Sequence, residues 1–329
     1  MTFRIIVTAR SFGAASGPHH DFLRENGCEV DLRAKAHPMS ASELCEVIGG
    51  YDGAILGLDT CDASVIERAD RLRVISRYGS GVDQVDLDAA ARRGIAVTNT
   101  PGANKIAVAE LAIGLIFALA RNIPQVACAA RQGTARRTPG WELTGKTLGI
   151  VGLGAIGREV AVRGQALGMR VIAHDPFFVG DAAPVPLVDL PTLLRESDVI
   201  SLHCALTPQT ERLIDAARIA QMRDGACVVN TARGGLIDEE ALHGALQSGK
   251  LLGAAADVLR DDPPPVDHPL LALDNFIYLP HLGATTRESV QRMSLMAAQN
   301  LVAVLRGDPC DYVVNATALK EHQSGKEQA

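Results

Sequence analysis

The sequence predicts an α/β fold with two doubly wound parallel-sheet domains. At 329 residues the chain has about twice the usual domain length, so two domains are expected. Its composition is 47% hydrophobic but only 4% aromatic, with 31 glycines, which suits aliphatic strands, covering helices and tight turns. Short aliphatic runs also alternate with helical patterns in two separate parts of the chain, and such β-then-α repeats predict parallel sheets.

The first hundred residues contain the first alternation. Next, Asn104–Arg121 carries apolar residues on more than one helical face, so we expect a long helix that is buried either between domains or between the subunits of a homodimer. The predicted strands are Phe3–Thr8, Glu29–Leu32, Gly53–Leu56, Val74–Ser76 and Ile95–Thr98.

The second alternation starts at Thr147 and predicts a second sheet. An amphipathic helix from about Thr285 to Arg306 follows it, and the polar tail from Leu319 is expected to be disordered. The predicted strands are Leu148–Val151, Val171–Ala173, Val199–Leu202, Cys227–Asn230, Gly253–Ala256 and Phe276–Leu279.

Charge and composition argue against several classes of partner. The net charge is −6 and the 32 Lys and Arg residues are scattered, so we expect neither nucleic acid nor an anionic membrane to bind. The most apolar window, Ile106–Ala120, is too short to span a bilayer and contains Glu110. The N-terminus has the pattern of a strand rather than a leader, so a cytoplasmic protein is expected. Seven cysteines without a C-x-x-C pair predict neither a disulfide framework nor a metal site.

A glycine motif follows the first strand of the second alternation. Gly152-Leu153-Gly154-Ala155-Ile156-Gly157 lies between a predicted strand and a predicted helix, which is the context of a dinucleotide fingerprint. The first glycine permits a tight turn, the second lets the backbone approach a pyrophosphate, and the third lets helix and strand pack closely. Backbone N–H groups at the helix start, including those of Ala155 and Ile156, would bind the anion. The alternative is a glycine turn without a ligand.

An acidic residue completes this pattern. Asp175 follows Gly152 by 23 positions, at the end of the next predicted strand, where a carboxylate can accept hydrogen bonds from the adenosine ribose. Because its charge would repel a 2′-phosphate, the sequence favours NAD over NADP. The neighbouring Arg170 and His174 leave NADP as an alternative.

Three further stretches come at the ends of predicted strands: residues 229–235, 256–263 and 279–284. With these stretches the chain resembles the D-isomer-specific 2-hydroxyacid dehydrogenases, the family that includes phosphoglycerate dehydrogenase. The resemblance extends from about Gly53 to about Leu305. It also includes residues 77–83, 99–104, 108–111 and 145–154.

The resemblance implies a flavodoxin-like substrate domain and an NAD-binding Rossmann domain. We expect the substrate domain to be discontinuous, with residues 1–100 and 285–329, and the NAD-binding domain to comprise residues 101–284. The implied activity is hydride transfer between a nicotinamide and C2 of a small 2-hydroxy or 2-keto acid.

The resemblance also implies three catalytic residues. Arg233 would bind the substrate carboxylate and polarise the C2 carbonyl, a role that suits a planar, permanently charged guanidinium. His281 would exchange the proton of the C2 hydroxyl, because imidazole titrates near neutral pH. The family usually has glutamate at the third position, where this chain has Asp262. A shorter acid can still orient the imidazole, although Asp261 next to it could share the role.

Two more sets of residues match family positions. Asp257 would meet the nicotinamide carboxamide, with a loop-capping carboxylate as the alternative. The loop Tyr78, Gly79, Ser80 and Gly81 would bind the substrate carboxylate through backbone N–H groups, or would form only a turn.

The identity of the substrate stays open at this point. Gly57 and Asp59 stand near the place where phosphoglycerate dehydrogenases often carry a phosphate-binding arginine, although Arg77 and Lys105 could supply positive charge. A glyoxylate or hydroxypyruvate reductase is therefore an alternative. Two others are an enzyme that oxidises formate or phosphite, and an NAD-sensing corepressor-like binding protein of the same fold.

Overall fold

The computed structural model describes residues 2–134, 137–180 and 183–327. The described residues fall into two units. The first comprises Met1–Asn104 and Thr285–Ala329, and the second comprises Lys105–Ala284. Each unit is built around its own parallel sheet, which confirms the predicted fold class.

The described part of the first unit contains a five-stranded sheet with the order β2-β1-β3-β4-β5, in which all neighbouring strands are parallel. This is the flavodoxin-like order. Its strands are β1 (Phe3–Val7), β2 (Cys28–Leu32), β3 (Gly53–Leu56), β4 (Val74–Arg77) and β5 (Ala96–Thr98). Its helices are α1 (Arg10–Ala14), α2 (Pro18–Glu25), α3 (Ala41–Cys45), α4 (Ala63–Arg68), α5 (Leu87–Arg92), α12 (Arg287–Arg306) and α13 (Ala316–Glu327).

Both faces of this sheet are covered by helices. Ile6, Ala54 and Ile75 are fully buried and belong to one cluster with apolar residues of α3, α4 and α5. On the other face α2 and α12 pack against the sheet. The strands are therefore almost continuously apolar, as expected for a parallel sheet that is buried on both sides.

The C-terminal segment differs from the sequence prediction. The tail expected to be disordered from Leu319 continues as helix α13 through Glu327. The helix starts next to Asn315, whose buried side chain accepts from the Val97 N–H at 2.9 Å and donates to the Ile95 carbonyl at 3.0 Å. This anchor on β5, together with packing against α5, orders a segment whose composition alone predicts disorder.

The described part of the second unit contains a six-stranded sheet with the order β11-β10-β9-β8-β6-β7. Its strands are β6 (Thr147–Val151), β7 (Arg170–His174), β8 (Val199–Leu202), β9 (Ala226–Asn230), β10 (Leu251–Ala256) and β11 (Phe276–Tyr278). Its α-helices are α6 (Lys105–Ala120), α7 (Ile123–Arg131), α8 (Ala155–Ala166), α9 (Leu190–Glu196), α10 (Ala216–Gln221) and α11 (Glu239–Gln247), and its 3₁₀ helices are Gly234–Leu236 and Pro269–Ala272.

The strand order of the second sheet reverses at β6. The chain passes from β6 to β7 on one side and then returns to β8 on the other side of β6. Leu187 adds a single parallel bridge outside β7, at Ala173, where a doubly wound dinucleotide fold places a further strand. The carboxyl ends of β6 and β8 flank this reversal, which is where open α/β sheets bind their ligands.

Every predicted strand is present, and its ends lie within two residues of the predicted ones. The predicted helix Asn104–Arg121 corresponds to α6, which buries Ala109, Ala112 and Ile116 completely in the core of the second unit. In the part of the chain that the structure describes, each helix taken alone is too short or too polar to span a bilayer. Only α6 and α7 taken together, with a bend of 64° between them, meet that criterion of length and composition.

Candidate active site

The turn after β6 has the backbone that the glycine motif predicts. Gly152 has a φ of +92°, and a Cβ there would lie 2.6 Å from the backbone nitrogen of Cys204. A Cβ on Gly157 would lie 2.1 Å from the carbonyl oxygen of Gly152. The turn and the helix therefore contact each other directly through backbone, and glycine is required at both positions.

The middle of the same motif is open. A Cβ on Gly154 would meet nothing within 4 Å, and both Gly154 and Ala155 are exposed. Gly154 is the N-cap of α8, so no N-cap side chain accepts from the first N–H groups of this 12-residue helix, which include that of Ile156. This arrangement fits the pyrophosphate of a dinucleotide, which requires backbone donors and close approach.

Asp175 lies next to this turn, directly after β7. Its Oδ2 accepts from the Leu153 N–H at 2.8 Å and its Oδ1 accepts from the Phe177 N–H at 3.0 Å. The carboxylate is thus fixed beside the motif and retains lone pairs for further donors. The two basic neighbours are engaged elsewhere: Arg170 pairs with Glu196 at 2.6 Å, and His174 contacts the Val188 carbonyl at 3.0 Å. The sequence did not predict the contact between Asp175 and Leu153.

Arg233 follows β9 in a turn that Asn230 holds. The buried Asn230 side chain donates to the Arg233 carbonyl at 2.8 Å and accepts from the Ala232 N–H at 3.0 Å. A Cβ on Gly234 would lie 2.0 Å from the carbonyl carbon of Leu259, so the chain after Arg233 is packed against the segment after β10. Arg233 itself has an extended backbone and a partly exposed side chain that donates to the Ala232 carbonyl at 2.8 Å.

Asp257, the first residue after β10, organises the loop after β11. Its side chain is buried, and its two oxygens accept from the N–H groups of Leu282 and Gly283, both at 2.7 Å. The His281 N–H also donates to the Asp257 carbonyl at 2.9 Å. Burial raises the pKa of Asp257, although these donors and the nearby His281 oppose the shift. The family resemblance implies that Asp257 meets the nicotinamide carboxamide, and its hydrogen bonds to the His281 loop were not predicted.

His281 and Asp262 are in direct contact. Nδ1 of His281 lies 2.7 Å from Oδ2 of Asp262, and each side chain is 27% exposed. Because a carboxylate only accepts, Nδ1 must carry the hydrogen, and Nε2 is the nitrogen that can exchange a proton with a ligand. His281 has a φ of +56°, a conformation that the hydrogen bonds to Asp257 maintain. Asp262 therefore contacts the imidazole although it is one methylene shorter than glutamate. The neighbouring Asp261 is exposed.

The predicted anion loop belongs to the first unit. The Tyr78 N–H donates to the Leu56 carbonyl at 2.9 Å, and the Gly79 N–H donates to Oγ1 of Thr100 at 3.0 Å. These two N–H groups are already used within the unit. Ser80 and Gly81 are more exposed, and among the described residues their N–H groups have no backbone partner. An anion-binding role for this loop therefore depends on Ser80 and Gly81.

Tyr78 contributes through its side chain instead. The phenol is buried and lies 3.3 Å from both the Val290 carbonyl and Oγ of Ser294 on α12. Burial raises the pKa of Tyr78. The residue thus ties the start of the loop to the helix that returns from the end of the chain.

Metal ligands are not grouped in the part of the chain that the structure describes: no three His, Cys, Asp or Glu side chains there are placed to hold a metal ion.

Comparisons with known proteins identify the family of the chain. A family model described as the NAD binding domain of D-isomer specific 2-hydroxyacid dehydrogenases matches residues 113–283. A D-3-phosphoglycerate dehydrogenase from Archaeoglobus fulgidus is 43% identical over 306 residues, which are 91% of this chain but only 58% of that protein. A hydroxypyruvate reductase from Thermotoga maritima is 42% identical over 276 residues, 82% of this chain and 90% of that protein.

A solved structure gives the same result for the fold. The crystal structure of a protein from Thermus thermophilus superposes with a TM-score of 0.86 at 42% identity, and the match covers 94% of this chain and 99% of the other. By contrast, the chain spans little more than half the length of the phosphoglycerate dehydrogenase from Archaeoglobus fulgidus.

Proposed function

Because the chain belongs to the D-isomer-specific 2-hydroxyacid dehydrogenase family, we propose that it is an NAD-dependent dehydrogenase that interconverts a small D-2-hydroxy acid and its 2-keto acid. The observation that carries this proposal is the 2.7 Å contact between His281 and Asp262. The pair follows β11 and β10, at the same edge of the parallel sheet as the glycine turn after β6.

The cofactor is NAD, which accepts or supplies the hydride when it is bound. The backbone of Gly152–Gly157 and the start of α8 would hold its pyrophosphate, and Asp175 would accept from the ribose hydroxyls. A 2′-phosphate would be repelled by Asp175, and both Arg170 and His174 are engaged with other groups. Asp257 would contribute mainly by fixing the loop that carries His281.

His281 handles the proton. During oxidation, Nε2 takes the proton of the C2 hydroxyl, and during reduction it returns that proton to the C2 oxygen. Asp262 holds the hydrogen on Nδ1, so that the ring presents Nε2 as a base and stays correctly oriented when it becomes an imidazolium.

Arg233 binds the substrate carboxylate and polarises the C2 carbonyl. A guanidinium is suited to this role because it is permanently charged and donates two parallel hydrogen bonds to a carboxylate. The hydrogen bonds of Asn230 fix the backbone of Ala232 and Arg233. In the first unit, we propose that the Ser80 and Gly81 N–H groups bind a carboxylate.

The substrate that the structure favours is not phosphorylated. Asp59 lies near the place where phosphate-binding relatives often carry arginine, and it is buried with its carboxylate accepting from Thr8, Gly57 and Met39. Lys105 pairs with Glu159 at 3.0 Å, and Arg77 is buried with Nη1 donating to the Tyr78 carbonyl. A glyoxylate or hydroxypyruvate reductase is therefore the more specific function that we propose.

A steady-state assay with a panel of 2-keto acids tests this function. NADH oxidation is followed with glyoxylate, hydroxypyruvate, phosphohydroxypyruvate and branched-chain keto acids, and each is repeated with NADPH. We expect turnover with NADH and a preference for the unphosphorylated acids. His281→Ala should reduce kcat by about 10²-fold or more, while the exposed His37→Ala serves as the control. If no keto acid is reduced although NADH binds, the corepressor-like alternative is favoured.

We also propose that the protein is a homodimer with α6 at its interface. Ile106 and Phe117 on this helix are 38% and 37% exposed, although both are large and apolar. Light scattering after gel filtration gives the mass in solution, and a monomer would contradict the proposal.

A further inference from the structure

One carboxylate contacts both ends of the loop that carries Asp262. Glu239 is the first residue of α11. Its Oε1 accepts from the Arg260 N–H at 2.7 Å, and its Oε2 lies 3.2 Å from Nε2 of His268. Asp262 lies between these two contacts in the chain, so Glu239 brackets the acid from both sides.

The contact with His268 is partly shielded from solvent, whereas the contact with the Arg260 N–H is exposed. The side chains of His268 and Glu239 are only 15% and 19% exposed. The Arg260 guanidinium pairs with Glu211 at 3.1 Å, so Glu239 contacts the backbone N–H of Arg260 rather than its guanidinium. Both contacts are made to a charged carboxylate, and such hydrogen bonds are stronger than those between neutral groups.

The position of this loop determines whether Asp262 reaches His281. An aspartate has only two side-chain torsions, so it cannot follow the imidazole if its backbone moves away. The distance between Oδ2 of Asp262 and Nδ1 of His281 is 2.7 Å. If the loop moved away by about 1 Å, this distance would be longer than that of a good hydrogen bond. The shorter acid therefore makes the site depend on whatever fixes the loop.

We infer that Glu239 is a positioning residue: by holding residues 260–268 against α11, it keeps Asp262 within hydrogen-bonding distance of Nδ1 of His281. The inference rests on the proposed function only in assigning proton transfer to His281. The contacts themselves lie entirely within the second unit.

A double-mutant cycle tests the route of this effect. Glu239→Ala should lower kcat by about ten-fold or more, because misplacement of a catalytic group by about 1 Å is costly, and it should change the KM for NADH by less than about two-fold. In an Asp262→Asn background the same change should lower kcat by less than about two-fold, since no carboxylate is left to position. The matched control is Glu240→Ala, which removes the exposed neighbouring acid on the same helical turn.

A spectroscopic measurement is independent of turnover. The proton on Nδ1 of His281, assigned through its loss in His281→Gln, should give a downfield NMR signal in the wild type and in Glu240→Ala. This signal should move upfield or broaden in Glu239→Ala and in Asp262→Asn. If Glu239→Ala does not fold, Glu239→Gln keeps an oxygen for the Arg260 N–H but loses the charge, and it should give a smaller change of the same kind.

Two results would overturn the inference: an unchanged His281 signal in both Glu239 variants, or an equal loss of kcat with and without the Asp262 carboxylate. Failure of the proposed function is a separate result, because the wild type would then reduce no keto acid, and full turnover in His281→Ala would remove only the role of His281 in proton transfer. The NMR signal would still report on the position of Asp262 in that case.

Discussion

Oδ2 of Asp262 lies 2.7 Å from Nδ1 of His281, although aspartate is one methylene shorter than the glutamate usual in the family. The first prediction concerns this pair. Asp262→Asn keeps the size but can place an amide N–H toward Nδ1 and favour the wrong tautomer, so kcat should fall by about 10²-fold or more. Asp262→Glu should keep more activity than Asp262→Asn. Initial rates with the preferred keto acid measure both, and equal rates for Asp262→Asn and the wild type would contradict the coupling.

The second prediction separates two glycines of the nucleotide motif. Gly157→Ala would place a Cβ 2.1 Å from the Gly152 carbonyl oxygen, so the unfolding free energy should fall by about 1–3 kcal/mol or more. Gly154→Ala adds a Cβ in open space. Its stability should change by less than about 0.5 kcal/mol, while the Kd for NADH should rise about ten-fold or more, because the methyl group occupies the space that we assign to the pyrophosphate.

Urea unfolding and NADH fluorescence titration measure these two properties. Gly244→Ala, in an open position on α11, is the control: it should leave the Kd for NADH unchanged and should raise the unfolding free energy by at most about 1 kcal/mol, because alanine is the better helix former. Wild-type NADH affinity in Gly154→Ala would argue against a dinucleotide at this turn.

The third prediction concerns the choice of cofactor. Asp175→Asn keeps an oxygen for the Leu153 N–H but removes the charge that would oppose a 2′-phosphate. The ratio of kcat/KM for NADH over that for NADPH should therefore fall by about ten-fold or more. Asp224→Asn, which removes an exposed carboxylate before the start of β9, should leave the ratio unchanged. An unaltered ratio in Asp175→Asn would mean that another group selects the cofactor.

The fourth prediction is a pH dependence of stability. Nε2 of His203 lies 2.8 Å from Oγ of Ser201, and burial lowers the pKa of His203 to about 4. Because the folded-state pKa is lower than the unfolded value of 6.5, the unfolded chain binds more protons between these two values. His203 therefore costs no stability at pH 7, and the protein loses stability as the pH falls from about 6.5 toward 4.

His203→Gln removes this titration. Between pH 7 and pH 4.5 the wild type should lose about 2–3 kcal/mol more unfolding free energy than the variant. Urea titrations at the two pH values give the difference, with the exposed His37→Gln as the control. Equal losses in wild type and His203→Gln would show that His203 does not control this pH range.

Much of the candidate site was predictable because its signals are local. The turn after β6 needs glycine for reasons of backbone geometry that the motif itself contains, and the structure shows them at Gly152 and Gly157. The short aliphatic runs that predict strands likewise located Arg233, Asp257 and His281 just after strand ends. Parallel strands bring such positions to one edge of a sheet, so their shared location followed from the alternation of strands and helices.

Other features depend on partners that are distant in sequence. The Gly79 N–H was expected to be available to an anion, but it donates a hydrogen bond to Oγ1 of Thr100, 21 residues later. The contact of Glu239 with both ends of the Asp262 loop spans 21 and 29 residues. No motif marks Glu239, because its role comes only from the packing of α11 beside that loop. The C-terminal helix was missed for the same reason, since Asn315 binds to β5 more than 200 residues before it.

The sequence by itself determined the two parallel sheets, the glycine turn, and the residue types at the ends of the strands, because strand periodicity and backbone sterics act over a few neighbouring residues. Only the tertiary structure decided which N–H groups are already used, that Asp262 reaches His281, and that Asp257 and Glu239 fix the two loops that meet there. Hydrogen bonds depend on tenths of an ångström between groups far apart in the chain, and that precision arises only when the sheet and its helices have packed.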